Sequence, residues 1–207
     1  LRLKMEALGI PVVHASGICS DMDWVTAARG AGYQATTGAV KYCLKSLPVD
    51  QQPSEVQACT SPGDGVCHDP YPEAFPEAMH PWWAADGDSW TTPAEDGLLI
   101  VPTLGTIHGL YESTHPDGPH VHNEMTQEDI DIALQLIKEA LASRAPDQVN
   151  AFFFVWSFGQ AIDHQLLSDL LQGIQPYVES GDVVWQTMPQ MVDTIEAYES
   201  SPISSDS

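Results

Sequence analysis

Basic side chains are scarce in this sequence. Only 7 lysines and arginines stand against 29 aspartates and glutamates, a formal charge of -22 over 207 residues. That shortage disfavours two classes of partner. Nucleic acid is bound through cationic side chains that release its condensed counterions, and few are on offer here. An anionic membrane surface is disfavoured for the same electrostatic reason. Long apolar runs are also missing: no stretch of about 18 uncharged apolar residues occurs, so no membrane span is expected. A nucleophile elbow, a phosphate loop and a dinucleotide fingerprint are absent too, as is any internal repeat. The acidity is spread along the chain, which predicts a solvated acidic surface suited to salty surroundings, where screening weakens self-repulsion.

Cysteine is sparse but even in number: Cys19, Cys43, Cys59 and Cys67. Their spacings match no zinc pattern. Cys59 and Cys67 flank a turn-rich loop of the kind a local disulfide closes, and the even total is compatible with a second bridge from Cys19 to Cys43. Free buried thiols in a reducing compartment are the alternative. The disulfide reading points to an exported protein, secreted or at the cell surface. The chain opens on Leu1, within a helical pattern that Gly9 closes, which reads as a piece of a longer protein or a processed product.

What the chain does have centres on His80 to Thr103. An aromatic, turn-rich loop carrying Trp82, Trp83 and Trp90 feeds Leu98-Leu99-Ile100-Val101, a short apolar run that reads as a strand buried on both faces and ended by Pro102. Rings in such a loop are either packed beneath it or presented to a ligand as stacking surfaces. Before this stretch, Ile10 to His14 and Tyr33 to Thr37 read as strands. Between them lies a helix over Asp21 to Arg29, with Ser20 as its expected N-cap. The excursion from Val40 to Pro93 predicts short helices, a disulfide and an added hairpin.

Downstream, Thr126 and Asp129 form a capping-box pattern, and Ile130, Leu134, Ile137 and Leu141 recur at helical spacing. Ala151 to Trp156 reads as a central strand, Asp163 to Tyr177 as an amphipathic helix, Val183 to Trp185 as a strand and Met188 to Tyr198 as the last helix. The alternation predicts an α/β fold with a parallel sheet.

In order and element type these segments resemble the C-terminal part of the polysaccharide deacetylase family, the NodB-like carbohydrate deacetylases. Four stretches carry the resemblance: His14-Ala15-Ser16-Gly17 followed by Ala31-Gly32-Tyr33, Trp90 to Pro102, Phe152 to Phe158, and Gly181 to Thr187 with the helix after it. The fold so implied is a partial (β/α) barrel of the glycoside hydrolase/deacetylase type. It would span residues 1–199, with a loop insertion at about 40–95 and a polar tail over 200–207. The activity implied is metal-assisted hydrolysis, removing acyl groups from a polysaccharide or oligosaccharide.

The family's Asp and His-x-x-x-His ligands to a divalent, zinc-type metal have no counterpart here, and His14 stands where the family has arginine. The resemblance therefore implies either metal-bearing strands upstream of Leu1 or a branch that has lost the chemistry. In the second case the chain is a non-catalytic carbohydrate-binding or surface protein on the same fold. A barrel without its opening strands would also expose a sheet edge and self-associate.

Among individual residues, His14 at a strand end is the candidate catalytic group, with a satisfied core histidine as the plain alternative. Trp82, Trp83, Asp86, Asp88, Trp90 and Trp156 are the candidate sugar contacts, because indoles stack on pyranose faces and carboxylates accept from hydroxyls. His115, His120 and His122 lie in a Pro/Gly-rich loop with spacing open to metal ligation, although such histidines are commonly just polar loop residues. Asp21 and Asp23 point to different helix faces and suit helix-end electrostatics better than paired-carboxylate chemistry.

Overall fold

Four consecutive side chains, Leu98, Leu99, Ile100 and Val101, are each 0 % exposed, so the apolar run is covered on both faces. The computed structural model, which describes residues 2–62, 65–69, 71, 79–106, 125–145, 148–151, 153–155 and 163–200, places this run at the centre of a sheet. It forms strand β4 (Leu98–Ile100), and beyond Pro102 the chain continues as β5 (Thr103–Thr106). Proline has no N–H to give, which marks the break between the two.

β1 (His14–Ser16) and β2 (Ala35–Thr37) lie parallel to each other, and β2 lies parallel to β4. On the other side of β4, β3 (Trp82–Ala84) runs antiparallel. β5 then pairs in parallel with β6 (Phe153–Val155), and Phe153 donates its N–H to the Pro102 carbonyl. The strands thus form a four-stranded mixed sheet in the order β1-β2-β4-β3 and a two-stranded parallel sheet β5-β6, and among the described residues the parallel neighbours β1, β2 and β4 follow chain order.

The helices cover both faces. α1 (Arg2–Glu6) precedes the sheet, and α2 (Trp24–Gly30) connects β1 to β2. α2 packs on the face formed by Leu98, Ile100 and Ala84, with Trp24, Val25 and Ala28 inward. α4 (Gln127–Ala142) and α5 (His164–Ser180) pack together over a second cluster that includes Ile130, Ile137, Leu170 and Ile174, with Phe154 of β6 against it. The last helix, α6 (Met188–Glu199), lays Val192 and Ile195 on Ala35, Leu99 and Val101 of the opposite sheet face. In a closed barrel that inner face would be filled by side chains of facing strands. Here a helix covers that face of the four-stranded sheet, and among the described residues the strands form two open sheets.

Local sequence explains most element ends. The Thr126–Asp129 box forms in full: Asp129 Oδ2 accepts from the Thr126 N–H and hydroxyl, both at 2.8 Å. α2 begins later than the Ser20 cap would place it, because Asp23 accepts from the Thr26 N–H at 2.9 Å and takes the cap itself. β1 starts at His14 and not Ile10, since Pro11 cannot donate to a ladder and Ile10 stays 44 % exposed. Val183 to Trp185 is not a strand. Among the described residues no strand lies beside it, and Val184 and Trp185 are exposed.

The excursion after β2 holds three 3-10 turns (Lys41–Ser46, Val49–Gln51 and Gly65–His68), the short α3 (Ser54–Gln57) and the returning β3. Two disulfides tie it down, Cys19–Cys43 and Cys59–Cys67, and they suit an oxidising compartment. No helix among the described residues is long and apolar enough to cross a membrane.

Candidate functional site

Parallel strands deliver the side chains at their C-terminal ends to one edge of the sheet, where the connecting loops leave. At this edge β1 ends in Ser16-Gly17, β2 in Thr37-Gly38, and β5 begins with Thr103. Register aligns His14 with Ala35 and Ser16 with Thr37, so His14, Ser16 and Thr37 share a face. His14 Nε2 lies 2.8 Å from Thr37 Oγ1, and the Thr37 hydroxyl reaches Ser16 Oγ at 3.4 Å. Next to them the Gly38 N–H donates to Thr103 Oγ1. Thr37 and Thr103 are buried, while Ser16 opens to solvent.

The contact with Thr37 Oγ1 holds the imidazole through Nε2, and Nδ1 has no protein partner among the described residues. Burial holds the ring's pKa below the ordinary imidazole value, so His14 is neutral near pH 7. A neutral imidazole tethered by one nitrogen and open at the other can take up or release a proton.

β6 also reaches this cluster through a side chain: the rings of His14 and Phe153 lie 6.4 Å apart and tilted.

The tryptophans do not make a single platform. Trp82 pairs with Ile100 and Trp83 with Leu99, which sends them to opposite faces of the sheet. Trp90 is 0 % exposed, with Trp24 and Tyr71 edge-on at 5.4 and 5.0 Å and Trp82 stacked at 6.4 Å. The expectation that Trp90 contacts sugar is corrected: its ring has no free face, because it forms the centre of the core beneath the loop. Trp82 is half-buried against it and donates Nε1–H to the Trp90 carbonyl at 2.7 Å. Trp83 remains partly exposed, and its Nε1–H donates to Glu199 at 2.7 Å.

Asp86 caps its own turn, accepting from the Ser89 N–H and hydroxyl at 2.9 and 2.8 Å, whereas Asp88 is exposed. Asp23 accepts from Gly87 N–H as well as Thr26, tying the tryptophan loop to α2. Partial burial works against its charge, but those hydrogen bonds prevail and hold its pKa below the ordinary carboxylate value.

Trp156, His115, His120 and His122 lie outside the described residues. Among the described residues no three His, Cys, Asp or Glu side chains stand close enough to hold a metal ion. His14 is a lone imidazole among hydroxyls, so these residues do not fit the zinc-type centre that the deacetylase resemblance implies. Ser16, Thr37 and Thr103 were not foreseen as site residues. The available signal was a small hydroxyl residue followed by glycine at two successive strand ends, Ser16-Gly17 and Thr37-Gly38. The chain matches no protein-family model, no curated protein and no solved structure.

Proposed function

We propose that this chain belongs to a carbohydrate-active hydrolase that removes acyl groups from a glycan on a partial (β/α) barrel, with His14 as its proton-transfer group. One observation carries the reading. His14, the first residue of β1, is a neutral imidazole whose Nε2 reaches Thr37 at the C-terminal end of β2, the edge of parallel strands at which barrel enzymes gather their chemistry, and its Nδ1 has no protein partner among the described residues. The disulfides and the acidic surface support a secreted or cell-surface setting.

Nδ1 would take a proton from water as its oxygen adds to the acyl carbonyl. The imidazolium would then return that proton to the departing sugar nitrogen or oxygen, freeing the carboxylic acid. Thr37 keeps the ring in place throughout by its contact with Nε2. Acetate release from acetylated chitin and xylan oligosaccharides tests the proposal, with and without a chelator. Turnover by the parent and its loss in His14→Gln is the expected result. Turnover that survives this substitution removes His14 from the chemistry.

A second reading, a non-catalytic carbohydrate-binding or surface protein, is favoured by Trp83. This partly exposed indole shares a register row and sheet face with His14 through Leu99 and Ala35. Oligosaccharide binding that persists with chelator, accompanied by no acetate release, would select it.

A further inference from the structure

We propose that the Cys19–Cys43 disulfide is a positioning clamp that joins the exit loops of β1 and β2 and thereby holds His14 in its sheltered, Thr37-bonded pose. The inference rests on the reading of the His14 cluster as the functional site. Each exit loop leaves through a glycine in the left-handed region, Gly17 at φ +64° and Gly38 at φ +75°, where a side chain would be strained. The loops also touch: a Cβ on Gly38 would lie 3.1 Å from Ser16 Oγ, and the Gly17 N–H donates to the Thr37 carbonyl at 3.2 Å. The disulfide bridges these same two loops a short way beyond that contact.

Its two ends differ. Cys43 is fully buried in the core that includes Trp24, Leu44 and Trp90, whereas Ile18 and Cys19 pack onto that core from its margin. The bond therefore ties the more exposed β1 exit to the buried core. Glycine lets each loop take its left-handed turn, and the cross-link restrains the two turns relative to each other. The described neighbours of the His14 ring, Thr37 and Phe153, carry no charge, so access of water decides where it titrates. Cys59–Cys67 has no such role: it closes a local loop between α3 and the Gly65–His68 turn.

The test follows the His14 ring by NMR pH titration of the full chain, with His14→Gln assigning the signal. Three proteins are compared: the parent, Cys19→Ala/Cys43→Ala and Cys59→Ala/Cys67→Ala. The clamp predicts an upward shift of the His14 midpoint, toward that of a solvated imidazole, in the first double variant and none in the second. An unchanged midpoint in a folded Cys19→Ala/Cys43→Ala protein overturns it.

Should that variant fail to fold, the Cys59→Ala/Cys67→Ala protein is reduced with dithiothreitol and its amide exchange measured. Faster exchange at Gly17 and Gly38 with α4 still protected supports the clamp. Loss of protection everywhere in one step overturns it, because the bond is then a general staple. Acetate release without a His14 shift leaves the hydrolase and removes the clamp. A shift without acetate release does the reverse.

Discussion

At the scale of single residues, one hydrogen bond decides what His14 can do. Thr37→Val keeps the shape of the side chain but leaves the ring's Nε2 without its partner in a half-buried place. An unsatisfied buried polar group costs about 1–3 kcal/mol, and urea unfolding should show a loss of that size, with Thr37→Ser recovering most of it. The ring also couples stability to pH. Burial lowers its folded pKa below the ordinary imidazole value, so the unfolded chain binds the proton more readily. Its contribution is complete above about pH 6.5 and is lost as pH falls through the lowered folded value. His14→Gln should therefore flatten the fall in stability below about pH 6.5, and a parallel fall in both proteins would contradict the assignment. The sequence predicts that His14 closes a strand from Ile10, whereas in the structure it opens β1, because Pro11 keeps the ladder from starting earlier. Its partner was not legible, because Thr37 reaches it only through the β1–β2 register, which no local pattern encodes.

At the scale of elements, the buried run Leu98 to Val101 and helices α4 to α6 were legible because burial and 3.6-residue periodicity leave a direct mark on sequence. Two elements were not. β3 is two tryptophans and an alanine, too short for alternation to register, and it exists because Leu98, Leu99 and Ile100 offer it a ladder. Val183 to Trp185 shows the converse: strand-forming residues remain unpaired without a neighbour. The tryptophan loop divides in the same way between core and surface. Trp90→Ala removes the ring on which Trp24, Tyr71 and Trp82 converge and should cost about 3–5 kcal/mol. Trp83→Ala gives up a hydrogen bond to Glu199 at the surface and should cost about 1 kcal/mol, apart from what its half-buried ring contributes. Thermal melts of the two variants check the contrast. Equal losses would mean that Trp90 is not the centre of that core.

At the scale of the whole molecule, the -22 charge and the open sheet act against each other. Like charges repel within the folded chain and between copies, and salt screens both, with a Debye length of about 10 Å at 0.1 M and about 3 Å at 1 M. The described residues leave β1 at the sheet edge, next to Ile10 at 44 % exposure, and no charged side chain occurs from Ile10 to Ser20. Edge strands without charges are the kind that pair with another chain. The disulfides resist unfolding independently of salt, and closing a loop of the 24-residue separation between Cys19 and Cys43 contributes about 3 kcal/mol in the chain-entropy account. Raising salt from about 0.05 M to 1 M should therefore do two things to the same protein. Its melting temperature should climb as self-repulsion fades, and light scattering should show association as copies become able to meet at the uncharged edge. The second effect identifies the edge. Replacing Val12 and Ala15 with lysine, which places charge beside and within β1, should suppress association at 1 M salt while leaving the rise in melting temperature in place. If association persists in that variant, copies meet elsewhere, and the exposed Val184 and Trp185 become the surface to mutate next.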